Sequence, residues 1–129
     1  MSQIKIYGYR THLDPIRQQL SDVIHSCVVD ALDYPANKRA HRFIKLDDGD
    51  FYYPEGRSDK YTIIEISMFE GRSIDAKKTL FRLLFDRIEN ELGIAANDIE
   101  ITIFETPRHN WGIRGMAGDE LELNYKVGV

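Results

Sequence analysis

The sequence has one cysteine, Cys27, in 129 residues. No internal disulfide can form, so the chain is expected to hold together by burial alone, as suits a reducing cytoplasm. Its apolar stretches last only a few residues, which leaves no membrane-spanning helix to expect. The start has neither the basic segment nor the apolar core of a signal peptide. It lacks a basic excess as well. Seventeen Lys and Arg stand against 21 Asp and Glu, for a net charge of −4. That balance argues against a general nucleic-acid binder but leaves room for a local basic pocket that takes a small anion. There is no phosphate-cradling glycine motif and no nucleophile elbow. His12, His25, His41 and His109 show no metal-ligand spacing. Neither a metal nor an organic cofactor is expected.

What is present reads as one domain, 1–129, of mixed α/β (α+β) class. A strand is expected at about Gln3–Tyr9, then a helix at about Asp14–Asp33, with Ile16, Leu20, Val23, Ile24, Cys27, Val28, Ala31 and Leu32 at three- and four-residue steps. Asp14 would cap that helix and Pro15 would sit in its first turn. An extended piece follows at about His41–Leu46, and the polar, aromatic stretch Asp47–Lys60 reads as a hairpin or loop. A β-branched strand is expected at Thr62–Phe69 and a second helix at about Ile74–Leu92, stopped by Gly93. A fourth strand follows at about Ile99–Glu105. Leu121–Val127 alternates like a further short strand.

Sliding the chain by sixty superposes the two halves. Ile4 and Ile6 fall on Ile64 and Ile66, and Leu20, Val23, Ile24, Val28 and Leu32 fall on Leu80, Leu83, Leu84, Ile88 and Leu92. The turn Tyr34-Pro35-Ala36-Asn37 falls on Ile94-Ala95-Ala96-Asn97. One offset that survives strand, helix and turn marks a duplicated β-α-β unit, about 1–60 and 61–129. Two such units with right-handed crossovers give a four-stranded sheet with two helices on one face. Strands apolar on both sides would leave the other face in need of a cover, and further copies of the chain are the simplest one.

Three stretches carry residues suited to chemistry. In Gly71-Arg72-Ser73, Ser73 is placed to cap the second helix, and its free N–H groups with the Arg72 fork would suit a carboxylate. A plain capped helix with an exposed arginine is the competing reading. Thr106–Gly115 holds the only tryptophan, Trp111, beside His109, Asn110 and Arg114, just after the fourth strand. An aromatic wall with amide donors and glycines suits a small-molecule pocket. An aromatic plug between subunits fits equally well. Lys38, Arg39, His41 and Arg42 form a short basic cluster, read either as a solvated edge or as a pocket wall. Cys27 lies on the apolar stripe and reads as a buried core thiol.

Together the duplicated unit, Phe69–Leu84 (FEGRSIDAKKTLFRLL) and Glu105–Gly115 (ETPRHNWGIRG) resemble the tautomerase superfamily, in particular its malonate semialdehyde decarboxylase-like members. The resemblance covers nearly the whole chain. It implies a homotrimer, a site at the head of the first strand, and keto–enol isomerase or lyase chemistry on a small 2-oxo acid. It also implies a carboxylate-binding role for Arg72. In that family the first strand begins with a proline, exposed by loss of the initiator methionine, whose amine moves the proton. The matching residue here is Ser2. A free Ser2 amine or the His109 imidazole would have to take that role. A non-catalytic trimer that binds a small carboxylate is the alternative. The decarboxylase aspartate after the first helix is matched by Lys38.

Overall fold

A computed structural model describes residues 2–121. The Glu122–Val127 part of the expected last strand lies outside them. The first unit is β1 (Ser2–Tyr9), a single turn α1 (Arg10–Leu13), α2 (Arg17–Leu32) and β2 (His41–Leu46); the second is β3 (Thr62–Phe69), α3 (Ile74–Leu92) and β4 (Ile99–Thr106). The sheet runs β2-β1-β3-β4. β1 is parallel to β2 and β3 to β4, while the central β1–β3 pair is antiparallel.

The duplication is written into the register. Ile4 faces His41 and Ile64 faces Ile101, the same pairing carried sixty residues along. Both long helices end in a left-handed residue at that offset, Asp33 (φ 48°) and Gly93 (φ 69°). Between the halves Ile4 faces Ile66 and Ile6 faces Ile64, so a local two-fold axis passes through Lys5 and Glu65, which face each other. α2 and α3 pack side by side on one face of the sheet. Ile4, Ile6, Ile64 and Ile66 meet Leu20, Ile24, Leu80 and Leu84 there, all essentially without solvent contact. Cys27 lies in the same core, and burial pushes its thiol up to about 11, which leaves it inert.

Two expectations need correction. The first helix is split: Asp14 closes α1 instead of capping α2, and α2 begins after a turn, with no side-chain cap at Ile16. Pro15 cannot donate to a helix ladder, and Leu13 is pinned in the core against Gly8, so the chain must turn before it can start again. The Asp14 carboxylate instead accepts from Lys45 Nζ at 2.9 Å. The far face of the sheet is also less apolar than expected. Gln3, Lys5, Glu65, Ser67 and Thr102 are interspersed there with Tyr7, Ile63 and Phe104, and Tyr7 donates to Glu65 at 2.6 Å.

The stretch between β2 and β3 forms no strand. It folds as a loop around Tyr9, with Phe51 and Tyr53 edge-on to that ring at 5.6 and 6.1 Å. No helix among the described residues is long and apolar enough to cross a membrane.

Candidate functional site

The head of β1 opens into a cavity of about 200 Å³, lined by Ser2, Tyr34, Asn37, Lys38, Arg39 and Arg114 among others. This is below the usual range for drug-sized ligands and suits a molecule of a few carbons. Ser2 is buried, and its backbone N–H donates to the Tyr34 hydroxyl at 3.1 Å. The turn after α2 brings the next residues in, because Lys38 N–H donates to the Pro35 carbonyl at 3.1 Å. Arg39 is aimed by α2: its Nη1 donates to Asp22 at 2.6 Å and to the Ser21 hydroxyl at 3.3 Å. The Ser21 hydroxyl lies 2.7 Å from His41 Nδ1. The hydroxyl therefore accepts from Arg39 and links it to the His41 ring.

Arg114 lies on a two-residue hairpin that joins β5 (Gly112–Ile113) to β6 (Met116–Ala117). Both loop residues have positive φ, Arg114 at 55° and Gly115 at 80°, as the tight hairpin turn demands. Asn or Gly would sit at the first of these positions without strain, and an arginine there costs about 1 kcal/mol. The turn places this arginine in the cavity lining. Burial first, and the Arg114 charge second, lower the Lys38 ammonium below the ordinary lysine range. Three cations thus line one small cavity in an acidic chain, and Arg39 among them is paired with the carboxylate of Asp22.

His109, Asn110 and Trp111 do not join this cavity. They line an adjoining open cleft of about 540 Å³ with the hairpin, and Arg114 borders both. Trp111 stands edge-on to the buried Phe69 at 5.1 Å, and Arg108 lies 5.7 Å over the same ring. Arg108 Nε donates to the Gly118 carbonyl at 3.1 Å, and Gly118 N–H donates to the Trp111 carbonyl at 2.7 Å. A Cβ on Gly118 would lie 2.5 Å from the Arg108 carbonyl oxygen and 3.2 Å from Phe69. Gly118→Ala is therefore expected to cost about 2 kcal/mol in urea unfolding, because backbone has to move. A loss below 0.5 kcal/mol (roughly the size of an ordinary surface change) would mean the clamp gives freely.

Arg72 and Ser73 are also outside the cavity lining. Ser73 is the cap of α3 and accepts from Ala76 N–H at 3.0 Å. Arg72 is buried, and its Nη1 donates to the Leu32 carbonyl at the end of α2. Tyr34 and Asn37, in turn, are lining residues that the sequence reading treated only as a turn. The signal was there: at sixty residues' offset the buried Ile94 answers Tyr34, so a hydroxyl replaces an alkyl group.

In the second unit the residues at the equivalent positions are engaged by their neighbours. Thr62, the answer to Ser2, lies 3.2 Å from His12 Nε2 and donates to the Lys60 carbonyl. Asp98, the answer to Lys38, accepts from Ser58 N–H at 2.8 Å and Ser58 Oγ at 2.6 Å, and Asn97 donates to the Gly56 carbonyl. The loop between the units supplies those partners, through Gly56, Ser58 and Lys60. Among the described residues no cluster of three or more His, Cys, Asp or Glu is placed to hold a metal.

A family model described as a tautomerase enzyme matches residues 38–114, from Lys38 to Arg114 of the cavity lining. The chain belongs to this tautomerase family. It is 32% identical over 57 residues to the 2-hydroxymuconate tautomerase of Comamonas testosteroni, a match that spans 90% of that protein and 44% of this one. That relative is thus about the length of one repeat unit. The fold matches that of malonate semialdehyde decarboxylase with a TM-score of 0.78 at 24% identity, over 84% of this chain and 88% of the other. It also matches a fused 4-OT, described as an asymmetric trimer, with a TM-score of 0.79 at 19% identity, over 92% and 97% of the two chains. Sheet, helices and duplication in this chain are therefore those of the tautomerase fold.

Proposed function

We propose that this family member interconverts the keto and enol forms of a small 2-oxo acid at the head of β1, within a homotrimer. The observation that carries the proposal is the small cavity walled by Lys38, Arg39 and Arg114. Guanidinium forks suit a carboxylate, and the positive wall favours the charge that develops on an enolate oxygen. On this reading Arg39 and Arg114 hold the carboxylate, Arg72 supports α2, and the Trp111 cleft is the approach to the cavity. The trimer follows the assembly of the fused 4-OT relative, and light scattering of the purified chain tests it.

One residue separates binding from scaffold. Arg114→Gly removes a cavity cation and relieves a strained backbone at once. It is expected to raise stability by about 1 kcal/mol. It should also weaken binding of a 2-oxo acid tenfold or more, the worth of a charge-assisted hydrogen bond. Urea unfolding and calorimetric titration with pyruvate read the two effects. Unchanged affinity would remove Arg114 from the site.

A second reading has one observation in its favour: the strand head carries Ser2, bonded through its backbone nitrogen to Tyr34. On that reading the protein binds a small carboxylate without turning it over. A ketonisation assay with phenylenolpyruvate decides. Turnover supports the isomerase, and saturable binding without turnover supports the binding protein.

A further inference from the structure

Arg39 of the cavity lining is tied to a polar network that only the first unit has. Ser21, Asp22 and His25 supply it from α2, and His41 from the first position of β2. At sixty residues' offset the second unit carries Phe81, Arg82, Phe85, Ile99 and Ile101, all apolar but Arg82. Ser21 and His25 are buried, a cost that the apolar second unit does not meet. One hydroxyl joins the two ends of the network: Ser21 Oγ lies 3.3 Å from Arg39 Nη1 and 2.7 Å from His41 Nδ1. The charged and titratable groups that face His41 are Arg39 from the segment before it and Asp22 and His25 from α2, while β1 faces it with Ile4. The His25 ring stands edge-on to His41 at 6.1 Å, and its Nε2 lies 2.7 Å from the Ala36 carbonyl.

We propose that His41 is a positioning residue of the cavity, which takes up a proton from solvent when a carboxylate binds at Arg39, with the Ser21 hydroxyl as the link between the two side chains. The inference rests on the 2-oxo acid reading above. Arg39 already holds an anion, because its Nη1 meets Asp22 at 2.6 Å. A ligand carboxylate on the same guanidinium is a second negative charge against one positive charge. An added negative charge nearby favours the charged form of a histidine. His41, one hydroxyl away from that guanidinium, is the group able to gain the missing charge. Burial first, and then the charges of Arg39 and His25 against that of Asp22, keep it neutral while the cavity is empty. Asp22 itself is held below the ordinary carboxylate range, chiefly by Arg39, and stays ionised on mild acidification. Linkage makes the coupling reciprocal: a protonated His41 tightens the hold on the carboxylate as much as the carboxylate tightens the hold on the proton.

The test follows the imidazole resonances of the full chain by NMR from pH 7 down to 4, with and without saturating pyruvate. The His41 midpoint is expected to move up by about one pH unit when pyruvate is bound, the effect of a new opposite charge close by. His12, which lies against Thr62 in the second unit, serves as the internal control and should not move. Calorimetric titration reads the other side of the linkage. Pyruvate affinity of the parent should rise about threefold between pH 7 and 4.5, and that of His41→Gln should not. An unmoved His41 midpoint with pyruvate bound overturns the proposal and leaves the 2-oxo acid site standing. So do equal shifts at His12 and His41, or the same gain in affinity in His41→Gln. Absence of pyruvate binding across the whole range overturns both.

Discussion

Arg72→Ala is expected to destabilise the chain by about 3 kcal/mol. The helix it supports has weak ends. α2 has no side-chain cap at its start, and it stops at Asp33 in a left-handed conformation that glycine, the Gly93 of α3, adopts with less strain. The last carbonyls of a helix have no partner within it. Arg72 reaches over from the loop before α3 and donates to one of them, at Leu32, from a buried position. Truncation removes a charge-assisted bond, leaves a buried carbonyl with one donor fewer, and empties the space of the arginine stem. Urea unfolding measures the loss, and pyruvate titration of the same variant tests its specificity. A stability change under 1 kcal/mol with a collapse of affinity would return Arg72 to the ligand side, as the family resemblance implies.

The second large effect is a loss of stability on mild acidification. His41 is half-buried between β1 and α2, and its proton affinity is pushed down to about 4 from 6.5. Burial is the main cause, followed by the charges of Arg39 and His25, against which Asp22 acts in the opposite direction. The unfolded chain therefore binds a proton at His41 between pH 6.5 and 4, and the folded chain does not. Its contribution is complete above pH 6.5 and disappears as the pH falls towards 4, by up to about 3 kcal/mol. Carboxylates that the fold holds below their ordinary range, such as Asp14, Asp22 and Asp98, lose their contribution at lower pH. The His41→Gln variant should accordingly show a flatter stability curve than the parent between pH 7 and 4.5. Equal slopes would take His41 out of the account.

Most of the architecture was legible because the repeat is a local pattern seen twice. Strand alternation around Ile4 and Ile64, the helix stripes and the turns all survive one offset, and the register repeats with them. The basic cluster at Lys38 and Arg39 and the arginine at 114 were likewise visible as chemistry, and the fold brings them to Ser2. The rest depended on partners far along the chain. Arg72 and Leu32 are forty residues apart, and no spacing rule links an arginine to an orphan carbonyl at that distance. Tyr34 looked like turn material because its hydroxyl matters only once β1 lies beside it. Leu13 ended the first helical turn through a contact with Gly8, where hydrophobic periodicity favoured continuation.

The local axis through Lys5 and Glu65 has a consequence for how the halves recognise each other. In a pair of identical units the residue on the axis must face its own copy. A charge there would meet its like, which is unfavourable directly across two strands, whereas opposite charges attract. Joined in tandem, the units hold a lysine against a glutamate, and the glutamate also accepts from Tyr7. Two first halves would set Lys5 against Lys5, and two second halves Glu65 against Glu65. The seam is thus keyed: each half is matched to the other half and mismatched to itself, so during folding the strands at the centre of the sheet are steered towards the partner on their own chain.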